Sequence, residues 1–366
     1  MSVLSLSKLN VSYNSSASSQ GKIQIIDELE LQVNSGEIVA LFGPSGGGKS
    51  TVLKAIAGLL DNVSGDIIIG GKQVLGINSR GNTSTNIATE DRKIGLIFQD
   101  YALFPHLTVA QNVAFGLDKL SRSARKAKVD SLLELIKMVE YSDRYPHELS
   151  GGQQQRIAIV RALACEPELL LFDESFSNID PQFRFELISD IRALLKQHNI
   201  AALFVTHNQD EAFAFCDRIA VLNKGKIEQI DCPERLFNYP QTRFVAEFLG
   251  QGLWLRCKVA SANVLLSELG EISYAGDKDL LSLMSLKVES EVDVYIRPHQ
   301  LKLTLSNDSP IVVTNERFAG EFYESQVKWL GRVIVVKTQN SFLNQSVKIE
   351  INTAVWSVFP VVKFPI

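Results

Sequence analysis

Cysteine is scarce and unpatterned in this chain. Its four thiols, Cys165, Cys216, Cys232 and Cys257, are scattered and never form C-x-x-C. That argues against a disulfide framework or a zinc cluster and for buried thiols in a reducing compartment. No apolar run approaches the ~18 residues needed to span a bilayer as a helix. The stretch Met1–Leu6 has neither a basic region nor a long apolar core, so no signal peptide is expected. Charge of one sign is not in excess either: 37 Lys and Arg face 41 Asp and Glu, a net −4. Nucleic acid is therefore not an expected partner. There is no internal repeat and no sustained heptad pattern. What remains is an ordinary globular composition, 45% hydrophobic and 21% charged over 366 residues. That length suffices for two domains, each with its own core. The expectation is a cytoplasmic protein, free to dock on a membrane protein.

Against these absences one stretch stands out. Gly43-Pro44-Ser45-Gly46-Gly47-Gly48-Lys49-Ser50-Thr51 fits G-x-x-x-x-G-K-[ST], a loop that wraps nucleotide phosphates. Glycines reach backbone conformations closed to other residues, so successive N–H groups can converge on phosphate oxygens. Lys49 is expected to reach the β- and γ-phosphates, and the Ser50 hydroxyl to bind Mg²⁺. The context agrees. Ile38–Phe42 reads as a buried strand, and Leu53, Ile56, Ala57 and Leu60 recur at helical spacing over Lys49–Leu60. A strand, a glycine loop and a helix N-terminus make an anion site.

Along the chain, Val3 to Tyr13 suggests an edge strand, Asn14–Gln20 a polar loop, and Leu29–Val33 a second strand. Asp66–Gly70 and Ile94–Phe98 read as strands around a polar insertion at Asn78–Thr89. Residues 121–140 look helical, with Val129, Leu132, Leu133, Leu135, Ile136 and Val139 inward, and Gln153–Cys165 forms a second helix. After the strand Leu169–Phe172, Asp180-Pro181 offers an N-cap and first-turn proline for a helix to about Gln197 that buries Leu187, Ile191 and Leu194. Ile200–Val205 reads as a strand, Asn208 with Glu211 resembles a capping box, and Arg218–Ile230 reads as a hairpin around Lys224-Gly225. This alternation predicts an α/β domain. Near Gly250 the texture changes to short β-rich stretches: Leu253–Ala260, Val292–Ile296, Gln300–Leu305, Arg332–Thr338 and Val347–Ile351. They predict a small all-β barrel or sandwich.

Two further motifs narrow the chemistry. Leu170-Leu171-Phe172-Asp173-Glu174 is an apolar strand ending in two carboxylates. Asp173 at the strand end could hold Mg²⁺, leaving Glu174 to orient and deprotonate a water. Leu149-Ser150-Gly151-Gly152-Gln153 opens the next helix with a serine and two glycines. It reads either as a plain serine N-cap or as a second anion site. One subunit needs one phosphate loop per nucleotide, so a second such site points to a nucleotide held by another copy.

With these residues in place the chain resembles ATP-binding subunits of ABC transporters over nearly all of residues 1–245. Gly43–Thr51 corresponds to Walker A, Leu170–Glu174 to Walker B, and Leu149–Gln153 to the signature. Phe98-Gln99 matches the Q-loop, Ser177-Asn178-Ile179-Asp180 the D-loop, and Thr206-His207 the switch histidine. The resemblance implies a P-loop NTPase (ABC-type) domain over 1–240 with a helical subdomain at about 100–165. A small all-β C-terminal regulatory domain, TOBE/OB-like, would occupy 241–366. It implies ATP and Mg²⁺ as cofactors and a head-to-tail homodimer clamping two ATP molecules between Walker A and the partner's signature. Gln99 would complete the Mg²⁺ shell and sense the γ-phosphate, and His207 would hold Glu174 and the water. Tyr13 would stack on adenine, or it packs as part of its strand. Asp180 would contact the opposite Walker A loop, serve as an N-cap, or do both. Ser175 for proline, Asn178-Ile179 for Ala-Leu, and Gly47 for Cys or Ser depart from the family pattern without removing a ligand or base.

Asp100–His106 and Val113–Leu117 resemble the importer branch, whose ATPases bind separate integral-membrane permease subunits and, through them, serve a periplasmic binding protein. Such a subunit would sit peripherally on the cytoplasmic face of the inner membrane. Arg297-Pro298-His299-Gln300-Leu301 is similar to the Arg-Pro-Glu element of importer regulatory domains. Phe244–Leu255 and Arg317–Gly320 most resemble ferric-iron importers. Polyamine, sulfate, molybdate and sugar importers share much of this architecture. Other nucleotide-binding classes fit less well. Asn223–Lys226 lacks the Asp of a guanine motif, no coiled coil separates the Walker motifs as in DNA repair, and one cassette stands where translation factors carry two.

Overall fold

In this computed structural model the described residues are 1–14, 22–77, 83–177, 179–275, 287–352 and 357–361. Most of the loop expected at Asn14–Gln20, part of the Asn78–Thr89 insertion, and Asn178 of the D-loop lie outside them. By contact the chain divides into two compact units, Met1–Pro233 and Glu234–Ile366.

The first unit opens with β1 (Ser2–Asn14), β2 (Lys22–Asn34), β3 (Ile38–Phe42) and α1 (Lys49–Ala57). Then come β4 (Val63–Ile69), β5 (Lys72–Ile77), β6 (Thr83–Asn86) and β7 (Ile94–Ile97). The helices α2 (Val109–Ala114), α3 (Arg122–Leu135) and α4 (Gly151–Ala164) follow. Next are β8 (Leu169–Asp173), α5 (Pro181–Gln197), β9 (Ala201–Thr206) and α6 (Gln209–Phe215). The hairpin β10 (Arg218–Asn223) and β11 (Lys226–Asp231) ends the unit.

One sheet is antiparallel, in the order β2-β1-β4-β5-β6. Its first strand is interior rather than an edge, because β2 and β4 flank it. Leu4, Leu6, Leu9 and Val11 pack with Leu29, Leu31, Val33 and the apolar face of α1 in one core. The other sheet runs β11-β10-β3-β9-β8-β7, all parallel except its edge strand β11. Parallel strands covered on both faces read as continuous apolar runs, and every residue of β3 and β9 is buried.

Register decides where the site lies. Phe42 pairs with Thr206, and Asp173 pairs with Val205. The carboxyl ends of β3, β8 and β9 therefore sit side by side, so that Gly43, Glu174 and His207 emerge at one edge. A knot of Phe172, Phe176, Phe204 and Phe215 supports that edge from beneath, with ring centroids 5.2 Å apart for Phe176–Phe204, Phe176–Phe215 and Phe204–Phe215. Each ring is essentially inaccessible to solvent.

A separate core of Val109, Val113, Val129, Leu132, Leu133, Ile157 and Val160 holds α2, α3 and α4 together. Here α3 stops at Leu135, and Val139 falls in a short 3₁₀ turn with half its surface exposed, not on the buried face its spacing suggested. Likewise α1 ends at Ala57 rather than Leu60, because Gly58 takes the left-handed conformation (φ 78°) and caps it. In α5 the inward residues are Leu187, Ile188, Ile191 and Leu195, with Leu194 only half-buried. Asn208 caps α6, but Glu211 turns its side chain to Thr206 and Arg184, so no reciprocal capping box forms.

The second unit begins with two helices the sequence pattern did not reveal, α7 (Pro233–Asn238, its first residue closing the preceding unit) and α8 (Arg243–Phe248). Six residues each give too little periodicity to read. The strands β12 (Leu253–Ser261), β13 (Val264–Ser267), β14 (Gly270–Ser273), β15 (Glu291–Ile296), β16 (Leu301–Leu305) and β17 (Val313–Phe318) follow. After them come β18 (Tyr323–Trp329), β19 (Arg332–Thr338), β20 (Val347–Ile351) and β21 (Val358–Pro360). They form three antiparallel sheets, β14-β13-β12-β15-β21, β16-β20 and β17-β18-β19. A single core runs through all three, from Leu255 and Val294 to Leu303, Val327, Ile334 and Ile349.

Candidate active site

The phosphate loop joins β3 to α1 through glycines with specific work. Gly48, the N-cap of α1, has φ 100°, and a Cβ there would lie 2.5 Å from Ile26 Cδ1. At Gly43 a Cβ would meet the Leu222 carbonyl oxygen at 2.2 Å. Lys49 is almost wholly buried, and its Nζ donates to the Gly43 and Pro44 carbonyls at 2.8 and 2.9 Å. Burial lowers its pKa, and the charges of Glu174 and Asp173 oppose that shift.

At the end of β8 the Asp173 carboxylate accepts a hydrogen bond from the Ser50 hydroxyl at 3.1 Å. Burial raises the Asp173 pKa, the Ser50 bond pulls it down, and neighbouring Glu174 pushes it up again. A hydroxyl and a half-buried carboxylate converging beside a phosphate loop are the hard oxygen donors that Mg²⁺ takes. The two residues thus fit such an ion. Among the described residues no group of three or more His, Cys, Asp and Glu forms a dedicated metal cage.

Glu174 leaves the strand in the left-handed region (φ 47°), its N–H on the Val205 carbonyl at 2.9 Å. This places its carboxylate against His207, with Nδ1 3.2 Å from Oε1. The next residue, Ser175, is fully buried, and its hydroxyl donates to Ile97 O at 3.3 Å, tying β8 to β7. The departure from proline is therefore accommodated by an added hydrogen bond. Gln99, just beyond β7, donates to the Ser177 hydroxyl at 3.3 Å, which in turn donates to the Glu174 carbonyl at 2.8 Å. Gln99 thus reaches the D-loop serine beside Glu174.

The remaining residues stand in different relations to this cluster. Tyr13 is exposed on β1, opposite Ile23 of β2. Further along β2, Ile25 and Ile26 abut Gly48, so Tyr13 lies on the flank of the phosphate loop. Ser150, Gly151, Gly152 and Gln153 form the start of α4, where Ser150 and Gln153 make a reciprocal capping box. They line a cavity of about 480 Å³ together with Asp180 and Phe183. Asp180 caps α5 by accepting the Gln182 N–H at 2.9 Å. The signature residues therefore share this cavity with Ile179 and Asp180 of the D-loop. Gly152 has room for a Cβ, whose nearest neighbour would be Leu187 Cδ2 at 3.6 Å. Among the described residues nothing requires glycine there.

Two residues beside the site escaped the sequence reading in this role, Arg184 and Glu211, whose ion pair backs the switch segment. They stand on different helices, and no local spacing joins them.

A phosphate loop at the carboxyl edge of a parallel sheet, with Asp173, Glu174 and His207 gathered beside it, defines a P-loop nucleotide hydrolase. Comparison with known proteins narrows the class. The family described as ABC transporter matches residues 26–177. The sulfate/thiosulfate import ATP-binding protein CysA of Photorhabdus laumondii is 37% identical over 333 residues, 88% of this chain and 87% of its own length. That of Escherichia coli K12 is 40% identical over 301 residues, 80% of this chain and 77% of its own. Among solved structures, a dimeric ATP-binding cassette, MJ0796, in a post-hydrolysis state with ADP and Pi aligns at TM-score 0.53 and 27% identity. It spans 63% of this chain and 98% of that one. CbiO1 of Clostridium perfringens, part of the transporter complex cbiONQ, aligns at TM-score 0.56 and 28% identity over 64% and 90%. The chain belongs to the ABC transporter family of ATP-binding subunits.

Proposed function

We propose that this protein is the ATP-hydrolysing subunit of a sulfate/thiosulfate importer, working as a head-to-tail homodimer on membrane permease subunits. The observation that carries the cargo is the identity to sulfate/thiosulfate import proteins, which spans most of both chains. The ferric-iron reading of Phe244–Leu255 and Arg317–Gly320 has no such support. No helix among the described residues is long and apolar enough to cross a membrane. A subunit docked on a permease at the cytoplasmic face, with a periplasmic binding protein presenting cargo from the other side, agrees with that.

The chemistry follows from the cluster. Lys49 exchanges its two loop carbonyls for phosphate oxygens, an exchange favoured because a buried ammonium gains more from an anion than from carbonyls. Ser50 and Asp173 would hold Mg²⁺, which would supply charge neutralisation at the phosphates; the sensing role expected of Gln99 would run through Ser177. Water attacks the γ-phosphorus, the bond to the ADP oxygen breaks, and the Glu174 carboxylate takes the water's proton. His207, through Nδ1, fixes the direction of that carboxylate. Tyr13 flanks the loop where an adenine ring would extend.

Dimerisation rests on the start of α4. The backbone N–H groups of Gly151 and Gly152 face outward from a helix N-terminus, and among the described residues nothing bars a side chain at Gly152. A close approach by the partner's nucleotide supplies the need for glycine, with Asp180 beside it at the interface. The cargo assignment is tested by uptake in a strain lacking this chain. Loss of radiolabelled sulfate uptake with unchanged iron uptake is expected, and the reverse pattern would overturn the assignment.

A further inference from the structure

Behind the switch histidine lies a buried ion pair. Arg184, near the start of α5, and Glu211, in the first turn of α6, have side chains 16% and 4% exposed, with 3.3 Å between Arg184 Nη1 and Glu211 Oε1. The other carboxylate oxygen accepts the Thr206 hydroxyl at 2.8 Å. That hydroxyl accepts the Asn208 N–H at 3.0 Å, so the backbone on both sides of His207 is pinned. On its far side Arg184 donates from Nη2 to the Ile179 carbonyl at 3.0 Å, next to Asp180 of the D-loop. Its Nε is buried with no hydrogen-bond partner among the described residues. The guanidinium is thus held by the two nitrogens that join the D-loop to Glu211.

We propose that Arg184 is a positioning residue for ATP hydrolysis: through Glu211 and Thr206 it sets His207 against Glu174 and ties that contact to the D-loop. The proposal rests on the assignment of Glu174 and His207 made above. The path is continuous: Ile179 carbonyl, Arg184, Glu211, Thr206 hydroxyl, the His207 backbone, and Glu174 Oε1 at 3.2 Å. Glu211 also lies within electrostatic reach of the site. Burial pushes its pKa up, the Thr206 bond and the Arg184 and His207 charges pull it down, and Glu174 pushes it up. A carboxylate so enclosed keeps its charge and place only while its partner remains. Because Ile179 precedes the capping residue of α5, a shift of the D-loop when a second copy docks would be felt at His207.

The test uses the full chain with Arg184→Gln, Thr206→Val and the double variant Arg184→Gln/Glu211→Gln, beside His207→Ala and Glu174→Gln. Arg184→Gln and Thr206→Val are expected to lower kcat by about 10- to 100-fold, the cost of slight misplacement near reacting atoms. KM for ATP should stay within about twofold, since neither residue touches the phosphate loop. Adding Glu211→Gln to Arg184→Gln is expected to recover much of the lost turnover, because a neutral amide can accept the Thr206 hydroxyl without a buried charge. If kcat stays within about twofold of wild type in both Arg184→Gln and Thr206→Val while His207→Ala is inactive, the proposal is overturned. Should Arg184→Gln fail to fold, Thr206→Val decides alone. Normal hydrolysis by His207→Ala and Glu174→Gln would instead overturn the underlying site assignment, and the proposal with it.

Discussion

Glu174→Gln isolates one proton acceptor from everything else around the site. The side chains are nearly isosteric, and the left-handed backbone at φ 47° with its N–H on Val205 O is independent of the side-chain charge. The amide can keep its contact with His207, now 3.2 Å from Oε1. Folding and nucleotide binding should therefore be unchanged, because the binding groups we propose are Lys49, Ser50, Asp173 and the loop N–H groups. What disappears is the base. Loss of a general base costs about 10²–10⁴ in rate, equivalent to about 2.7–5.4 kcal/mol of barrier at roughly 1.36 kcal/mol per tenfold. Steady-state release of phosphate, with nucleotide affinity measured in parallel by a fluorescent analogue, reads both quantities. Turnover within about threefold of wild type would refute Glu174 as the base. Lost nucleotide binding would show that Glu174 shapes the loop rather than the chemistry.

Other substitutions test the surroundings. Gly48→Ala forces a side chain to φ 100° and within 2.5 Å of Ile26 Cδ1. ATP affinity should fall, with a backbone cost of about 1–2 kcal/mol, and titration calorimetry reads it. Phe176→Ala empties the aromatic knot and should cost about 3–5 kcal/mol by chemical denaturation. Asp217 is opposed by burial, but hydrogen bonds from Lys196, the Ile38 N–H and Arg192 hold its pKa below the usual value. Its stabilisation is present above the ordinary aspartate pKa and lost as pH falls through the lowered folded value. Asp217→Asn should therefore lower the melting temperature at neutral pH, with the difference from wild type narrowing below the usual carboxylate range.

Much of the first unit was legible because its elements carry their own signals. Unbroken apolar runs at Ile38–Phe42 and Leu169–Phe172 mark parallel strands, and Asp180-Pro181 marks a helix start. The site motifs stood out because phosphate binding and water activation need rare combinations in fixed order. What stayed hidden depends on pairing between distant segments. That β1 is interior is decided by β4, and the capping role expected of Glu211 is lost to Arg184 and Thr206. In the second unit β14, β17 and β18 have few apolar residues and half-exposed faces, and β13 is apolar but only four residues long. Only the sheet partners identify them as strands. The cargo was the least legible, since no residue of the nucleotide site needs to touch it.

The central claim is that each phosphate loop is half of a site completed by the signature of a second copy. Light scattering on full-length Glu174→Gln with and without ATP tests it most directly, beside Glu174→Gln/Gly152→Asp. Among the described residues a Cβ at Gly152 meets only Leu187, at 3.6 Å, so the double variant should fold and bind ATP. Glu174→Gln is expected to double its mass when ATP is added, and the double variant to stay at its ATP-free mass. A Glu174→Gln chain that keeps one mass with and without ATP, or a double variant that still doubles, would contradict the claim.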